Sequence, residues 1–266
     1  MNYKLVAVDL DDSLLGYDHK ISAENKAAIK KTVDKGVIFT IATGRPLQSC
    51  LPFVKELGLD VPFITYNGAL VIKGKSMEIL YHKTIEPEDA SDILEEAVEY
   101  SPTILVFNDN KLYVNELNER TQRYSKLSNM SAYLEKDLKK ITKNGPTKVL
   151  LYHEPDQVKR IYYEIKDRLE GKVNFHISKP FFLEFIHKEV SKGNALAALA
   201  KNMGIDPKEV IAIGDSYNDI SMIEYAGLGV AVENAYEDIK NKADYICKSN
   251  VNHGVAQVLE KFVLEG

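Results

Sequence analysis

The chain has 266 residues, of which 45% are hydrophobic and 27% charged. It is long enough to bury one substantial core and could be divided between two unequal domains. A formal net charge of −5 gives no electrostatic reason to bind nucleic acid or an anionic membrane. The two cysteines and six histidines lack metal-ligand spacing, so zinc and thiol chemistry are not expected, and Cys50 and Cys247 are predicted to be core thiols.

The N-terminal third alternates between strand and helix patterns. The opening apolar run is too short for a signal-peptide core and reaches acidic residues at once, so we expect a cytoplasmic protein. Ser22 and Gly36 are placed to cap the first helix. The alternation predicts an α/β fold with a doubly wound, Rossmann-like parallel sheet. The predicted elements are a strand at 3–10, a helix at 22–36, a strand at 37–42, a helix at 46–58 and a strand at 63–66.

After Asn67 the pattern changes. Strands at 69–72 and 78–83, joined by turn residues, predict a β-hairpin. From about Glu86 to His187 the order of helix, strand pair, helix, strand, helix and strand pair predicts an inserted α+β module. Within it, the lysine-rich stretch at 136–148 is interpreted as a solvated charged face or as a surface that attracts anionic substrates.

From Ser191 the alternation returns. The pattern predicts a helix to Gly204, a strand at 210–213, a helix after Asn218, a strand at 229–232 and a closing helix, strand and helix. The predicted core is therefore built from both ends of the chain. It comprises residues 1–83 and 188–266, with residues 84–187 as the inserted domain.

Acidic residues follow two of the predicted parallel strands, and parallel sheets bind ligands beyond the carboxyl ends of their strands. Asp9 and Asp11 alternate on an extended backbone, so that one could attack a substrate while the other transfers protons, although such residues also cap turns. Asp215 and Asp219 add a second acidic cluster, and converging carboxylates are the oxygen ligands that Mg²⁺ prefers.

A phosphate brought to these carboxylates needs compensating donors. The Thr43 hydroxyl and the Gly44 N–H could bind phosphate oxygens, and Lys192 could supply a positive charge. Thr43 and Gly44 also suit a turn before a helix, and a lysine at a helix start is commonly solvated. The sequence by itself leaves both interpretations open.

In chain order, the segments DLDDSLL, IATGR, VSKGNAL and GDSYNDISMI resemble the four motifs of the haloacid dehalogenase superfamily, and most closely those of its Cof-type (subfamily IIB) phosphatases. The YNGA segment, the insertion between the second and third motifs and the tail ADYIC…GVAQVLEKF extend the resemblance over essentially the whole chain. The resemblance implies a catalytic core with an inserted α/β cap domain at 84–187 that selects the substrate.

The resemblance also implies roles for individual residues. Asp9 is the nucleophile, and Asp11 protonates the leaving group and then activates water. Mg²⁺ is held by the Asp9 carboxylate, the Asp11 carbonyl and the Asp215 carboxylate, with Asp219 orienting ligands and Ser216 a weaker candidate ligand. The implied phosphate-binding groups are Leu10, Thr43, Gly44, Lys192 and Asn218, with Asn67 and Arg45 in supporting positions.

These features predict a Mg²⁺-dependent phosphatase that hydrolyses small phosphorylated metabolites through an aspartyl-phosphate. Sugar phosphates, pyridoxal phosphate and flavin mononucleotide are candidate substrates by resemblance. Tyr113, Phe182 and His187 either choose among them or pack in the core. A phosphotransferase or phosphomutase on the same scaffold is the alternative, whereas a signalling receiver domain would need neither the insertion nor the second acidic loop. Oligomeric partners are not indicated by the sequence.

The first motif departs from the commonest pattern of its branch. Asp12 and Ser13 stand where Gly and Thr are more usual. Ser13 keeps the hydroxyl, whereas Asp12 restricts the backbone and adds negative charge. No catalytic group is removed, so we expect activity to be retained.

Overall fold

The structure is a computed structural model that describes residues 2–265, and it divides them into two compact units. Unit 1 is built from the chain up to Gly44, from Cys50–Tyr81 and from Ser191 onward. Unit 2 is built from Arg45–Ser49 and His82–Val190. Across residues 2–265, no helix has both the length and the apolar character that a membrane crossing requires.

The main sheet of unit 1 is parallel and buried. Its strands consist almost entirely of apolar residues, as expected for a sheet covered on both faces, and the order is β14-β13-β12-β1-β2. Val8 at the end of β1 is in register with Ile41 of β2 and Ile213 of β12, so these three strands end side by side. The strands are β1 (Leu5–Val8), β2 (Ile38–Ile41), β12 (Val210–Gly214), β13 (Leu228–Val232) and β14 (Tyr245–Cys247).

The helices that connect these strands begin and end largely where the sequence predicts. The Ser22 hydroxyl accepts a hydrogen bond from the Asn25 N–H at 3.2 Å, and Gly36 has a positive φ of 87° just after the first helix, so both predicted caps are confirmed. The helices are α1 (Ala23–Asp34), α2 (Leu47–Glu56), α7 (Lys192–Asn202), α8 (Ile220–Tyr225), α9 (Glu237–Lys240) and α10 (Gly254–Leu259).

A small antiparallel sheet contains the strand that was predicted to extend the parallel sheet. Strands β3 (Pro62–Thr65), β4 (Leu70–Lys73) and β5 (Ile79–His82) form it, which confirms the β-hairpin, and β3 also lies parallel to the end of β2. The parallel bridge between Ala42 and Ile64 and the hydrogen bond from the Thr43 N–H to the Ile64 carbonyl at 2.9 Å join β3 to the end of β2. Pro62 has no N–H to donate, and its carbonyl instead accepts from the Thr40 hydroxyl at 2.6 Å.

Unit 2 is an α+β unit with one face of its sheet covered by helices. The order β10-β11-β9-β6-β7-β8 is antiparallel except between β7 and β8, and apolar residues of α3 and α6 pack on the sheet to form a core. The strands are β6 (Thr103–Asn108), β7 (Lys111–Val114), β8 (Ala132–Leu134), β9 (Lys148–Tyr152), β10 (Val173–Lys179) and β11 (Phe182–His187). The helices are α3 (Pro87–Val98), α4 (Glu119–Ser128), α5 (Lys139–Thr142) and α6 (Pro155–Leu169).

Two short elements of unit 2 were missed by the sequence analysis. Strand β8 has three residues and helix α5 has four, so neither is long enough to establish a period. The remaining order of helices and strands matches the prediction. The α/β fold with a parallel central sheet is confirmed.

The lysine-rich stretch is only partly a solvated face. Lys136, Lys139, Lys140 and Lys143 are exposed, but Lys148 is buried and its Nζ lies 3.1 Å from Glu184 Oε2. Burial alone would raise the pKa of the Glu184 carboxyl, but Lys148, together with a nearby histidine and serine, holds that pKa below its usual range. The prediction of a solvated side chain is therefore wrong for Lys148. Strand β9 begins at this residue and directs its side chain into the interior of unit 2.

The predicted role of the two cysteines is confirmed. Cys50 and Cys247 are both buried and unbridged. Burial raises the pKa of the Cys247 thiol to about 12, which removes its thiolate character at neutral pH.

Candidate active site

Two carboxylates are brought to one edge of the unit 1 sheet by the register of its strands. Asp9 follows β1 and Asp215 follows β12, and the Asp9 N–H donates to the Ile213 carbonyl at 3.0 Å. With Asp219, they form a group in which one oxygen from each carboxylate lies within 4.8 Å of the others. The acidic cluster predicted at the strand ends is therefore present as a single site.

Asp11 lies in a wide turn directly after β1. The turn spans Leu10–Leu14, and inside it Asp11 keeps an extended conformation while Asp12 is left-handed with a φ of 56°. Asp11 is half-buried, and its charge helps to raise the pKa of Asp9, so the two carboxylates interact. Asp12 thus adopts the backbone conformation that glycine would adopt more easily, as its position in the motif anticipated.

Lys192 is the centre of the site and is completely buried. Its Nζ lies 2.5 Å from Asp9 Oδ1 and 2.6 Å from Asp219 Oδ1. Burial alone would lower the pKa of this ammonium, but Asp219 and Asp9 raise it above its usual value, so the group stays charged. The alternative of a solvated lysine at a helix start is wrong, because this one pairs two buried carboxylates.

Glycine is required where α7 approaches α8. A Cβ on Gly193 would lie 2.2 Å from the Ser221 carbonyl oxygen, while the Gly193 N–H donates to the Ser221 hydroxyl at 3.0 Å. This contact fixes the first turn of α7. It therefore fixes the position from which Lys192 extends to Asp9.

Both oxygens of Asp219 are used in holding the site together. Its Oδ1 accepts from Lys192, and its Oδ2 accepts from the backbone N–H groups of Asp215 and Ser216 at 3.0 Å each. A Cβ on Gly214 would lie 2.4 Å from the Asp219 Cβ, so only glycine fits there. These bonds favour an orienting function for Asp219 over direct metal ligation.

The site carries more negative charge than its single lysine balances. Burial raises the pKa of Asp9 well above its usual range, and Asp219, Asp215 and Asp11 raise it further, against the opposing effect of Lys192. Burial and then Asp219 raise the pKa of Asp215 to about 7, against a hydrogen bond from Ser13 at 2.8 Å. A donor set of carboxylates with an excess of negative charge suits a hard divalent cation such as Mg²⁺.

A second set of predicted residues meets beside β2. Thr43 is fully buried, and its carbonyl accepts from the Asn67 N–H at 3.0 Å. Asn67 Oδ1 accepts from Asn218 Nδ2 at 2.9 Å, and a Cβ on Gly44 would lie 2.7 Å from that same oxygen. Thr43, Gly44, Asn67 and Asn218 are thus linked, and Gly44 leaves room for the asparagine amide.

Several other candidates take structural positions. Ser216 caps a short helix through its backbone, since its carbonyl accepts from the Asp219 N–H at 2.9 Å and its N–H donates to Asp219 Oδ2 at 3.0 Å. In unit 2, Phe182 stacks edge-on with Tyr124 and Tyr152, and His187 Nδ1 accepts from the Glu189 N–H at 3.0 Å. Tyr113 is half-buried against the unit 2 core, and Arg45 is half-buried in the 45–49 segment of that unit.

One residue of the site was not assigned a contact by the sequence analysis. The Ser13 hydroxyl donates to Asp215 Oδ1, which joins the first and fourth motifs directly. The first motif indicates that a hydroxyl is present at Ser13, but it does not indicate which residue this hydroxyl contacts. Its partner is 202 residues away along the chain and leaves no local signal.

A parallel sheet with clustered carboxylates and a buried lysine at its carboxyl edge defines a class of α/β enzymes that carry their chemistry at the strand ends. The model of the haloacid dehalogenase-like hydrolase family matches residues 6–259. The chain belongs to this family, and the resemblance to its Cof-type phosphatases is confirmed.

Relatives match nearly the whole length of the chain. A putative phosphatase, YxeH of Bacillus subtilis, is 32% identical over 98% of this chain and 99% of its own length. YcsE of the same organism, a 5-amino-6-(5-phospho-D-ribitylamino)uracil phosphatase, is 30% identical over 99% of this chain and 97% of its own. A haloacid dehalogenase-like hydrolase from Bacteroides thetaiotaomicron has a crystal structure with a TM-score of 0.89 and 31% identity, covering 98% of this chain and 99% of that one.

Proposed function

We propose that this protein is a Mg²⁺-dependent phosphatase that hydrolyses small phosphorylated metabolites through an aspartyl-phosphate on Asp9. The observation that carries the proposal is the contact of Asp9 Oδ1 with the buried Lys192 ammonium, within a cluster that also contains Asp215 and Asp219. A carboxylate in this setting is held in one orientation at the end of β1. The family and the phosphatase names of its relatives support the same reaction class.

The reaction has two steps. An Asp9 oxygen forms a bond to phosphorus while the bond from phosphorus to the ester oxygen breaks, and Asp11 gives its proton to the leaving oxygen. Asp11 then takes a proton from a water molecule whose oxygen attacks the phosphorus of the aspartyl-phosphate. This second displacement releases inorganic phosphate and regenerates the Asp9 carboxylate.

The donor set fits Mg²⁺. The Asp9 and Asp215 carboxylates and the Asp11 carbonyl would hold the ion, and Asp219 would orient these groups through its bonds to Lys192 and to the Asp215 backbone. When bound, the ion supplies charge that draws the phosphate toward the carboxylates. Burial, and after it the repulsion among the neighbouring carboxylates, raises the pKa values of Asp9 and Asp215, and a bound cation would relieve that repulsion.

Neutral donors would complete the phosphate site. The Leu10 and Gly44 N–H groups and the Thr43 hydroxyl can donate to phosphate oxygens, beside the Lys192 charge. Asn218 is held by Asn67, which makes its amide a positioned donor. We assign Asn67 and Arg45 supporting functions in this arrangement.

Residues 84–187 are proposed as the cap domain that selects the leaving group, and residues 1–83 and 188–266 as the catalytic core. Sugar phosphates and similar phosphomonoesters are the proposed substrates, in keeping with a cytoplasmic location. Neither the core nor its acidic cluster distinguishes one phosphomonoester from another, since both act on the phosphate.

The proposal is tested by measuring inorganic phosphate release from a panel of phosphorylated metabolites and p-nitrophenyl phosphate, with and without Mg²⁺. Asp9→Asn is compared with wild type and with Asp34→Asn, which changes an exposed aspartate at the end of α1. We expect turnover that requires Mg²⁺, is abolished in Asp9→Asn and is unchanged in Asp34→Asn. Activity that persists in Asp9→Asn would overturn the nucleophile assignment. Transfer of the phosphoryl group to a sugar in preference to water would favour a phosphotransferase.

A further inference from the structure

Two backbone hydrogen bonds join the start of the turn that carries Asp11 to its end. The Leu14 N–H donates to the Asp9 carbonyl at 3.2 Å, and the Leu15 N–H donates to the Leu10 carbonyl at 2.9 Å. Between these bonds, Asp12 has a left-handed φ of 56°, which is unfavourable for a residue with a side chain. A hydrogen bond to the Asp12 backbone from outside the turn would therefore help to hold this conformation.

Two asparagines from the far edge of the unit 1 sheet supply such contacts. Asn234 Nδ2 donates to the Asp12 carbonyl at 2.7 Å, and Asn250 Nδ2 donates to the Leu15 carbonyl at 2.8 Å. The asparagines are also joined, because the Asn250 N–H donates to Asn234 Oδ1 at 2.9 Å. Since Asn234 follows β13 and Asn250 follows β14, two strand ends beyond β12 reach across to the turn after β1.

We propose that Asn234 is a positioning residue for Asp11 and Ser13, with Asn250 as its support. The Asp12 carbonyl belongs to the Asp12–Ser13 peptide, so the bond from Asn234 fixes the plane that carries the Ser13 side chain. Through the left-handed backbone of Asp12, the same bond constrains the preceding peptide and with it the direction of the Asp11 carboxylate. The Ser13 hydroxyl in turn donates to Asp215 Oδ1 at 2.8 Å. The inference rests on the proposed function, in which Asp11 protonates the leaving oxygen.

The two asparagines differ in how safely they can be changed. Asn250 is 2% exposed, so its replacement would leave the Leu15 carbonyl without its donor inside the core. Asn234 is exposed, so shortening its side chain opens no cavity and lets water replace its Oδ1 as the acceptor for the Asn250 N–H. Asn241, an exposed asparagine at the end of α9, provides a matched control.

The test uses the leaving group as a reporter of Asp11. An alkyl phosphate needs protonation of its leaving oxygen, whereas p-nitrophenyl phosphate has a leaving group that departs without it. The ratio kcat/KM includes only the steps up to departure of the leaving group, so it isolates this proton transfer from the later hydrolysis. It is measured with Mg²⁺ for both esters in wild type, Asn234→Ala, Asn234→Ser and Asn241→Ala, beside thermal unfolding of each protein.

For Asn234→Ala we expect kcat/KM to fall about tenfold for the alkyl phosphate and by less than about threefold for p-nitrophenyl phosphate, with wild-type unfolding behaviour. Asn234→Ser, whose hydroxyl is too short to reach the Asp12 carbonyl, should give the same ratio, and Asn241→Ala should match wild type. Equal losses for both esters, or no loss, would overturn the inference while leaving the proposed function intact. A wild-type protein that releases phosphate from neither ester would overturn the proposed function, and this inference with it.

Discussion

The Ser13 hydroxyl donates a hydrogen bond to Asp215 Oδ1 at 2.8 Å, which ties the turn after the first strand to the loop after β12. The two residues are 202 positions apart in the chain. The bond leaves the other Asp215 oxygen for a cation and sets the direction of the carboxylate. It also opposes the rise in the Asp215 pKa that burial and Asp219 produce.

Removing this hydroxyl should weaken metal binding more than chemistry. For Ser13→Ala we expect the Mg²⁺ concentration at half-maximal activity to rise about fivefold, because a hydrogen bond to a charged group contributes about 1.5–3 kcal/mol and part of it is replaced by water. Activity at saturating Mg²⁺ should remain within about threefold of wild type. Ser13→Thr should behave as wild type, and Ser131→Ala, at an exposed serine, is the control. An unchanged Mg²⁺ requirement in Ser13→Ala would contradict the prediction.

The raised pKa of the Asp215 carboxyl predicts that stabilisation by Mg²⁺ depends on pH. Its pKa of about 7 in the metal-free protein lies above the ordinary value, so ionisation of this group costs stability. That cost is absent below the unfolded pKa of about 4, grows as the pH rises and is complete above about 7. Mg²⁺ should therefore raise the unfolding temperature more at pH 8 than at pH 6, as measured by thermal unfolding with and without the ion. An equal shift at both pH values would count against Asp215 as a ligand.

Much of the site could be predicted because the sequence places it at strand ends. Apolar runs define β1 and β12, parallel pairing aligns their carboxyl ends, and Asp9 and Asp215 follow directly. The inward direction of Lys148 could not be predicted, since it depends on Glu184, which lies on the neighbouring strand of the sheet but 36 residues later in the chain. The bonds from Asn234 and Asn250 to the first turn were also missed, because a contact between distant strand ends has no sequence period.

The buried pair in unit 2 should contribute to stability in a pH-dependent way. Glu184→Gln leaves Lys148 buried without its carboxylate, and we expect a loss of about 3 kcal/mol in unfolding free energy at pH 7. Because the Glu184 pKa is lowered in the folded protein, its contribution is present above the unfolded pKa of about 4 and is lost as the pH falls through the folded value. Urea unfolding at pH 7 and at a pH well below 4, where Glu184 is protonated in the folded protein as well, measures both effects. Glu170→Gln, at an exposed position, should change neither, and a full-size Glu184→Gln effect at low pH would contradict the assignment.

Lys192 should be required both for activity and for the integrity of the metal-free site. In Lys192→Met the carboxylates of Asp9 and Asp219 lose the ammonium that lies within 2.6 Å of each, so we expect turnover to be lost and unfolding free energy to fall by about 3–5 kcal/mol above pH 7. The deficit should shrink on acidification, because burial raises the pKa values of Asp9 and Asp215 and their protonation removes part of the repulsion that the lysine no longer balances. Lys201→Met, on an exposed position of the same helix, separates this effect from the loss of a surface charge. We would measure phosphate release and urea unfolding of both variants across pH 5–8. If Lys192→Met were as stable as the control at pH 8, the carboxylate cluster would not depend on this ion pair.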